Sequence, residues 1–206
     1  MGVALLLLSA LSSLARAPLE SRVAELSTGL RMEWLRQPAA SPSARHVLLV
    51  HGSVHGAWCW AEHWMGYLSD RGFTAHAVSL RGTSGSPAPE GTMKVFAEQH
   101  VNDLRAFVED HLMSTGEPPP TLVGHSFGGA FLYEYLARGH PAAAAAFLCP
   151  VPPSGNMAMV GRFLRRSPGV ALLVTKGLAF KTVTRSSKDA RAVFFDDTLP
   201  ESDVQR

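Results

Sequence analysis

A serine stands at the centre of a pentapeptide bracketed by glycines, Gly124-His125-Ser126-Phe127-Gly128. A serine hydroxyl is a poor nucleophile in a relaxed loop, but a sharp turn between a strand and a helix pushes its oxygen outward. The helix that follows directs backbone N–H groups at the same point, where they stabilise a developing oxyanion. The spacing therefore predicts Ser126 as the nucleophile of an acyl transfer and the Phe127 amide as an oxyanion donor. The residues predicted to support this turn are Gly124, His125, Gly128 and Gly129.

A second loop with closely spaced glycines, His51-Gly52-Ser53-Val54-His55-Gly56, directly follows the apolar run at residues 47–50. An oxyanion hole of this type takes a second backbone donor from a loop after a neighbouring strand, and the Ser53 N–H is predicted to supply it. His51 and His55, together with Gly52, are interpreted as residues that organise the loop, the histidines through hydrogen bonds to backbone. Direct proton transfer by either histidine is the less favoured alternative.

The segments around these loops alternate between strand and helix patterns. Residues 22–26 and 30–36 flank the turn cluster Ser27-Thr28-Gly29 and predict an antiparallel hairpin. Further strands are predicted over residues 47–50, 73–80, 121–123 and 142–148, and helices over residues 58–71, 93–113 (capped by Thr92) and 127–138. Asn102, Asp103, Arg105 and Glu109 are predicted to face away from the core. Together these elements predict an α/β fold with a mostly parallel sheet covered on both faces.

The order of the motifs makes residues 22–206 resemble the α/β-hydrolase fold. The motifs are H-G-S-V-H-G-A-W, R-G-T-S-G-S, G-H-S-F-G-G and, after the last strand, P-V-P-P. The resemblance is to the branch of plant methylesterases and hydroxynitrile lyases and their bacterial esterase relatives. It implies a sheet that opens with an antiparallel hairpin, helices on both faces and a helical cap. It also implies a serine esterase, in which Ser126 attacks the ester carbonyl, an acyl-enzyme forms and water releases the acid.

The acid and the histidine of a catalytic triad are not found in this sequence. In the fold that it resembles, the order along the chain is Ser, then Asp or Glu, then His. His140 is the one histidine after Ser126, and a helix of about eleven residues places it roughly 15 Å away. The acids that follow are interpreted as helix-capping or solvent-facing residues: Asp189, Asp196, Asp197 and Asp203.

This shortfall leads to two functional hypotheses. In the first, the chain is a fragment of a longer serine esterase that lacks two βα units of ~30 residues each. Residues 142–148 then form an apolar sheet edge, which is an aggregation hazard. In the second, the chain is a catalytically inactive hydrolase-fold protein whose pocket still binds a ligand. A dinucleotide-binding oxidoreductase is disfavoured because no G-x-G-x-x-G opens a helix.

The sequence divides into a leader (1–20), a hydrolase core (21–155) and a partial helical cap (156–206). The leader has the apolar run of a secretory signal, and an organellar transit sequence or an uncleaved leader are the alternatives. A formal net charge of +2 over 206 residues argues against nucleic-acid binding. Cys59 and Cys149 are expected to be buried thiols, forming neither a disulfide nor a zinc site. We expect no cofactor and no metal, and a small-molecule ester as the substrate.

Basic residues are concentrated in the cap segment. Between residues 161 and 191 there is one acid, Asp189, against eight basic residues: Arg162, Arg165, Arg166, Lys176, Lys181, Arg185, Lys188 and Arg191. One interpretation is contact with an anionic membrane surface or admission of lipid-like esters. The favoured interpretation is a solvated cap that covers the acyl pocket.

Overall fold

The computed structural model describes residues 16–40, 45–92, 94–179, 183, 186–196 and 198–204. Most of the predicted leader therefore lies outside the described residues. Within these ranges, no helix combines the length and the apolar character needed to cross a bilayer.

The described strands form one sheet that begins antiparallel and continues parallel. They are β1 (Glu20–Glu25), β2 (Arg31–Gln37), β3 (His46–Val50), β4 (Thr74–Val78), β5 (Thr121–His125) and β6 (Ala144–Leu148). Their spatial order is β1-β2-β4-β3-β5-β6. β2 is antiparallel to β1 and β4, whereas β3 is parallel to β4 and β5, and β5 to β6. The predicted fold class, a mostly parallel sheet opened by a hairpin, is confirmed.

Helices cover both faces of this sheet. The described helices are α1 (Trp64–Asp70), α2 (Ala97–Phe107), α3 (Phe127–Ala137), α4 (Met157–Arg166), α5 (Pro168–Ala179), α6 (Ser187–Phe194) and α7 (Glu201–Val204). In β3, Leu48 packs in the core with α2 and α3, whereas Leu49 packs in the core with α1. Because successive strand residues point to opposite faces, an unbroken apolar run such as that of β3 is buried on both.

The strand order brings the two predicted functional loops together. β3 lies between β4 and β5, so the chain leaves β3 toward one neighbour and later reaches β5 on the other side. Val50 at the end of β3 pairs with Gly124 near the end of β5. Such a reversal of strand order opens a crevice at the carboxyl ends of the strands, which is where α/β proteins bind their ligands.

The prediction of a single helix over residues 58–71 is wrong. A 3₁₀ turn at Ala57–Trp60 comes first, and α1 begins only at Trp64. The Ala61 N–H donates to the Trp58 carbonyl, three residues earlier. This tighter turn keeps Ala57 and Trp60 in the core.

The next predicted helix begins later than residue 93. Phe96, in an extended conformation, precedes α2, and the Gln99 side chain accepts a hydrogen bond from its N–H at 2.9 Å. Thr92 is not the cap, because its N–H closes a turn onto the Pro89 carbonyl. After α2 the helix widens into a π turn at Val108–Leu112.

The two cysteines differ in exposure. Cys59 is partly buried, and burial raises its pKa to about 12. Cys149 is exposed, so the expectation of a buried thiol is wrong there. It directly follows β6, which is the outer strand of the described sheet, and the alanines of that strand are exposed as well.

Candidate active site

Ser126 occupies a strained turn between β5 and α3. Its backbone has φ of 54° and ψ of −119°, a region that residues with a side chain rarely adopt. The turn is held from the neighbouring strand: the Ser126 N–H donates to the Leu148 carbonyl at 3.1 Å, and the Val151 N–H donates to the Ser126 carbonyl at 2.9 Å. Strain of this kind costs about 1–3 kcal/mol and persists only where surrounding contacts enforce it.

Close backbone contacts explain the glycines on both sides of Ser126. A Cβ on Gly128 would lie 2.5 Å from the carbonyl oxygens of Val50 and His51. A Cβ on Gly124 would lie 2.7 Å from Gly129 Cα. Larger side chains at these positions would push α3 away from β3 and β5, so the turn could not keep its present geometry.

The loop after β3 packs directly against the Ser126 turn. A Cβ on Gly52 would lie 2.9 Å from the Ser126 Cβ and 3.0 Å from the His125 Nδ1. The glycine therefore lets the loop that carries Ser53 reach the nucleophile. The structure brings together the two segments that we predicted to form one site.

His51 is buried and bonded on both ring nitrogens. Its Nε2 accepts the Leu80 N–H at 3.0 Å, which leaves Nδ1 as the donor to the Gly52 carbonyl at 2.7 Å. Burial lowers the pKa of His51 to about 4, so the ring is neutral at pH 7. Its place in the structure ties the loop after β3 to the end of β4.

His55 joins the same loop to the cap. Its Nδ1 donates to the Ser53 carbonyl at 2.8 Å, its ring stacks on Trp58 at 5.5 Å, and it meets Phe194 of α6 edge-on at 5.4 Å. The cap therefore rests against the loop that carries the proposed oxyanion donor.

A cavity of about 530 Å³ opens beside these loops. Ser53 and Phe127, whose amides we predicted as oxyanion donors, both line it. The other side chains used below come from the turn after β4 (Arg81, Thr83), from α2 (His100) and from α3 (Phe131).

A buried ion pair that the sequence did not predict forms one wall of the cavity. Arg81 donates to both carboxylate oxygens of Asp103, at 2.8 and 2.5 Å, and Asp103 also accepts from the Thr28 hydroxyl at 2.6 Å. Asp103 is fully buried, so the prediction that it faces away from the core is wrong. Its partner Arg81 comes from a loop, and helical periodicity alone gives no sign of such a contact. The pair holds α2 against the turn after β4.

Neither the described later acids nor His140 is among the residues that line the cavity. The Asp189 N–H, in the first turn of α6, donates to Ser186, and Asp196 accepts from the backbone and hydroxyl of Thr198 in a turn. His140 lies beyond the far end of α3, with its ring 5.0 Å from that of Tyr135. Asp197 and the side chain of Asp203 are outside the described residues.

Helix α4, in the predicted cap, exposes both an apolar side and a basic side. Met157 and Leu164 are 79% and 55% exposed, and no residue of α4 is buried. The helix also carries three exposed arginines: Arg162, Arg165 and Arg166. Separate apolar and basic sides are typical of helices that lie at membrane surfaces. Membrane contact through the cap stays a prediction.

Comparison with known proteins identifies similar chains. A family model described as the alpha/beta hydrolase family matches residues 47–206. The chain is 32% identical over 139 residues to Esterase PIR7B of Oryza sativa subsp. japonica, covering 66% of this chain and 50% of that protein. It is 32% identical over 157 residues to an Arabidopsis thaliana protein named as a chloroplastic methylesterase, covering 75% and 38%. This chain thus spans half or less of the length of these two curated relatives.

A solved structure shows the same fold. The crystal structure of the epoxide hydrolase VrEH1 from Vigna radiata is similar with a TM-score of 0.61 and 21% identity. The similarity covers 86% of this chain and 55% of that one. At this identity the likeness concerns the fold alone.

Proposed function

This chain belongs to the α/β-hydrolase family, and on that premise we propose that it hydrolyses carboxylic esters with Ser126 as the nucleophile. The observation that carries the proposal is the strained turn at Ser126, enforced by two hydrogen bonds to β6 and the residues after it and by glycines that admit no side chain. Similarity to an esterase supports the choice of carboxylic esters as substrates.

In the proposed reaction, the Ser126 Oγ attacks the ester carbonyl carbon, and the electron pair of the C=O bond moves to the oxygen. The N–H groups of Ser53 and Phe127 donate to that oxyanion, which sits at the start of α3 where the helix dipole is positive. Collapse of this intermediate expels the alcohol and leaves an acyl-serine, and water then releases the acid.

For the full catalytic cycle, a base must take the hydroxyl proton of Ser126. Of the described carboxylates after Ser126, that of Asp196 accepts from Thr198 in a turn, and those of Glu134 and Glu201 pair with arginines. His140 lies beyond the far end of α3. We therefore propose that these 206 residues alone acylate Ser126 but turn over slowly. Loss of a triad histidine lowers kcat by about 10⁶, and the oxyanion hole and binding supply what remains.

A fluorophosphonate probe, which forms a covalent bond to activated serines, tests the proposal. We expect the folded chain to label at Ser126 about 100-fold faster than the urea-unfolded chain, because the oxyanion donors act only in the fold. Labelling should be lost in Ser126→Ala and unchanged in Ser154→Ala, which removes an exposed loop serine. Peptide mapping by mass spectrometry identifies the labelled residue.

The same experiment distinguishes the second hypothesis, a hydrolase-fold protein that binds a ligand without chemistry. A folded chain in which Ser126 labels no faster than in urea would overturn the esterase proposal. It would support the inactive binding protein.

A further inference from the structure

One part of the cavity lining is a histidine stacked on a phenylalanine. The His100 ring of α2 lies 4.5 Å from the Phe131 ring of α3, at an interplanar angle of 25°. Both residues line the cavity that Ser53 and Phe127 also line. An imidazole thus lines the same cavity as the two residues whose amides are proposed to bind the ester carbonyl oxygen.

The two ring nitrogens of His100 are in different environments. Nδ1 is buried and has no hydrogen-bond partner. A buried N–H without an acceptor is rarer in proteins than an under-satisfied acceptor. The ring therefore carries its proton on Nε2, which leaves the Nε2–H as the donor on the cavity side. Burial lowers the pKa of His100, and a nearby Arg81 adds to this against the opposing effect of Asp103, so the ring is neutral at pH 7.

Most other polar side chains that line the cavity are already engaged. The Nε and Nη2 groups of Arg81 donate to Asp103, and the Thr83 hydroxyl donates to the Leu80 carbonyl at 2.6 Å. His55 uses its Nδ1–H on the Ser53 carbonyl. The Nε2–H of His100 is therefore free to recognise a ligand.

Two phenyl rings of α3 line the same cavity as this imidazole. Phe127 and Phe131 are one turn apart on α3, with ring centroids separated by 6.4 Å. They present an apolar surface that suits a hydrocarbon or aromatic spacer. A ligand that fills the cavity can therefore contact the proposed amide donors, the phenyl rings and the imidazole donor.

We propose that His100 determines specificity by donating from Nε2 to a second oxygen of the substrate, a carbonyl or ether oxygen separated from the scissile ester by an apolar spacer. This deepens the proposed function and rests on it. The protein then selects keto or alkoxy esters over plain hydrocarbon esters of the same length.

A matched pair of esters tests the proposal in the Ser126→Ala background, where no turnover consumes the ligand. Methyl 4-oxo-4-phenylbutyrate differs from methyl 4-phenylbutyrate by one carbonyl oxygen. We expect the keto ester to bind about five- to tenfold more tightly, which is the effect of one net hydrogen bond. Binding is measured as a dissociation constant by NMR titration.

Variants of His100 separate recognition from packing. His100→Phe keeps an aromatic ring for the stack on Phe131 and should bind the two esters with equal affinity. His100→Gln keeps an N–H donor and should retain part of the preference. His140→Phe, a matched change beyond the far end of α3, should keep the full preference.

A measurement without substitution at His100 guards against misfolding of the variants. In ¹⁵N-labelled Ser126→Ala protein, the keto ester should shift the Nε2 resonance of His100 and the hydrocarbon ester should not. Equal affinities for the two esters, no binding of either ester, or an unmoved Nε2 resonance would each overturn the role of His100. Probe labelling of Ser126 in the wild-type chain reports separately on the proposed esterase function, so the two failures are distinguishable.

Discussion

At the scale of single residues, the site depends on glycines that pack so closely against neighbouring backbone that a Cβ would not fit. Gly128 approaches the carbonyl oxygens of Val50 and His51, which belong to the end of a central strand and to the loop that follows it. Backbone oxygens of a buried strand cannot move aside as a flexible side chain can. The geometry of Ser126 is therefore fixed by packing between backbone segments as well as by its own hydrogen bonds.

We predict that Gly128→Ala lowers both stability and reactivity. A methyl group 2.5 Å from two backbone oxygens must shift α3, and such overpacking costs about 1–3 kcal/mol of unfolding free energy. Urea unfolding measures that loss, and labelling of Ser126 should slow at least tenfold, by about 1.4 kcal/mol of activation free energy. Gly161→Ala is the control, because no atom lies within 4 Å of its added Cβ. A Gly128→Ala protein that labels at the wild-type rate would contradict the role given to this contact.

The sequence predicted features that depend on local chain geometry. It missed residues whose environment depends on partners that are distant in the sequence. A glycine pattern between a strand and a helix is enough to predict the sharp turn at Ser126, which the structure contains. Asp103 pairs with Arg81, 22 positions earlier in the chain, so its burial depends on a packing arrangement that helical periodicity does not contain. His100 becomes notable only when α2 and α3 are brought together, because its stack on Phe131 joins two helices.

At the scale of elements, a chain of hydrogen bonds links strands β2, β4 and β3. The Trp34 Nε1–H donates to the His76 Nδ1 at 3.1 Å, and the His76 Nε2 lies 2.8 Å from the His46 Nδ1. An indole nitrogen can only donate, so His76 must accept on Nδ1 and donate from Nε2 to His46. All three rings in this hydrogen-bonded series are therefore neutral. A proton added to the Nδ1 of His76 would point at the Trp34 N–H.

We predict that this network loses stability in acid. Burial lowers the pKa of His76 well below 6.5, with His46, Arg36 and Arg22 acting in the same direction. The pKa of His46 is lowered too, by burial first and by Arg36, against the opposing effect of Glu117. The unfolded chain takes up protons near pH 6.5, whereas the folded chain does not until lower pH. The stabilisation is therefore complete above about pH 6.5 and is lost as the pH falls toward the depressed folded pKa values.

Urea unfolding at pH 7.5, 6 and 5 measures the loss. His76→Gln supplies an amide oxygen for Trp34 and an amide N–H for His46 but cannot titrate. Its stability should fall less steeply than that of the wild-type chain, by up to about 1.4 kcal/mol for each pH unit below 6.5. His63→Gln, at an exposed position before α1, should follow the wild-type curve. If the stability of the wild-type and His76→Gln chains fell equally as the pH decreased, the network would not titrate as described.

Element boundaries were less predictable than element types. The strand at residues 142–148 was predicted against the helical propensity of its alanines, and the structure confirms it as β6 at Ala144–Leu148. The helix predicted from residue 93 starts at Ala97 because Phe96 and Gln99, not Thr92, close its first turn. Caps depend on backbone geometry that apolar periodicity does not report.

At the scale of the whole molecule, the two edges of the described sheet differ in whether their strands carry charged side chains. At one side the hairpin of β1 and β2 has charged side chains, with Arg31 bonded to Glu25 and Arg36 to Glu20. At the other side β6 pairs with β5 and with no further strand in the described sheet. Charged residues on an outer strand oppose pairing with another chain, and the alanines of β6 provide no such protection.

We predict that the 206-residue chain self-associates through β6 and that one charge suppresses the association. Ala145 is the second residue of β6 and is exposed, so a lysine there can reach solvent in the monomer but would be crowded between paired edges. Light scattering after size-exclusion chromatography should show a mass that rises with concentration for the wild-type chain and a monomer for Ala145→Lys. Ala137→Lys adds the same charge at the exposed end of α3 and should associate as the wild-type chain does. If Ala145→Lys and Ala137→Lys associate equally, net charge or another surface governs association, and the edge of β6 does not.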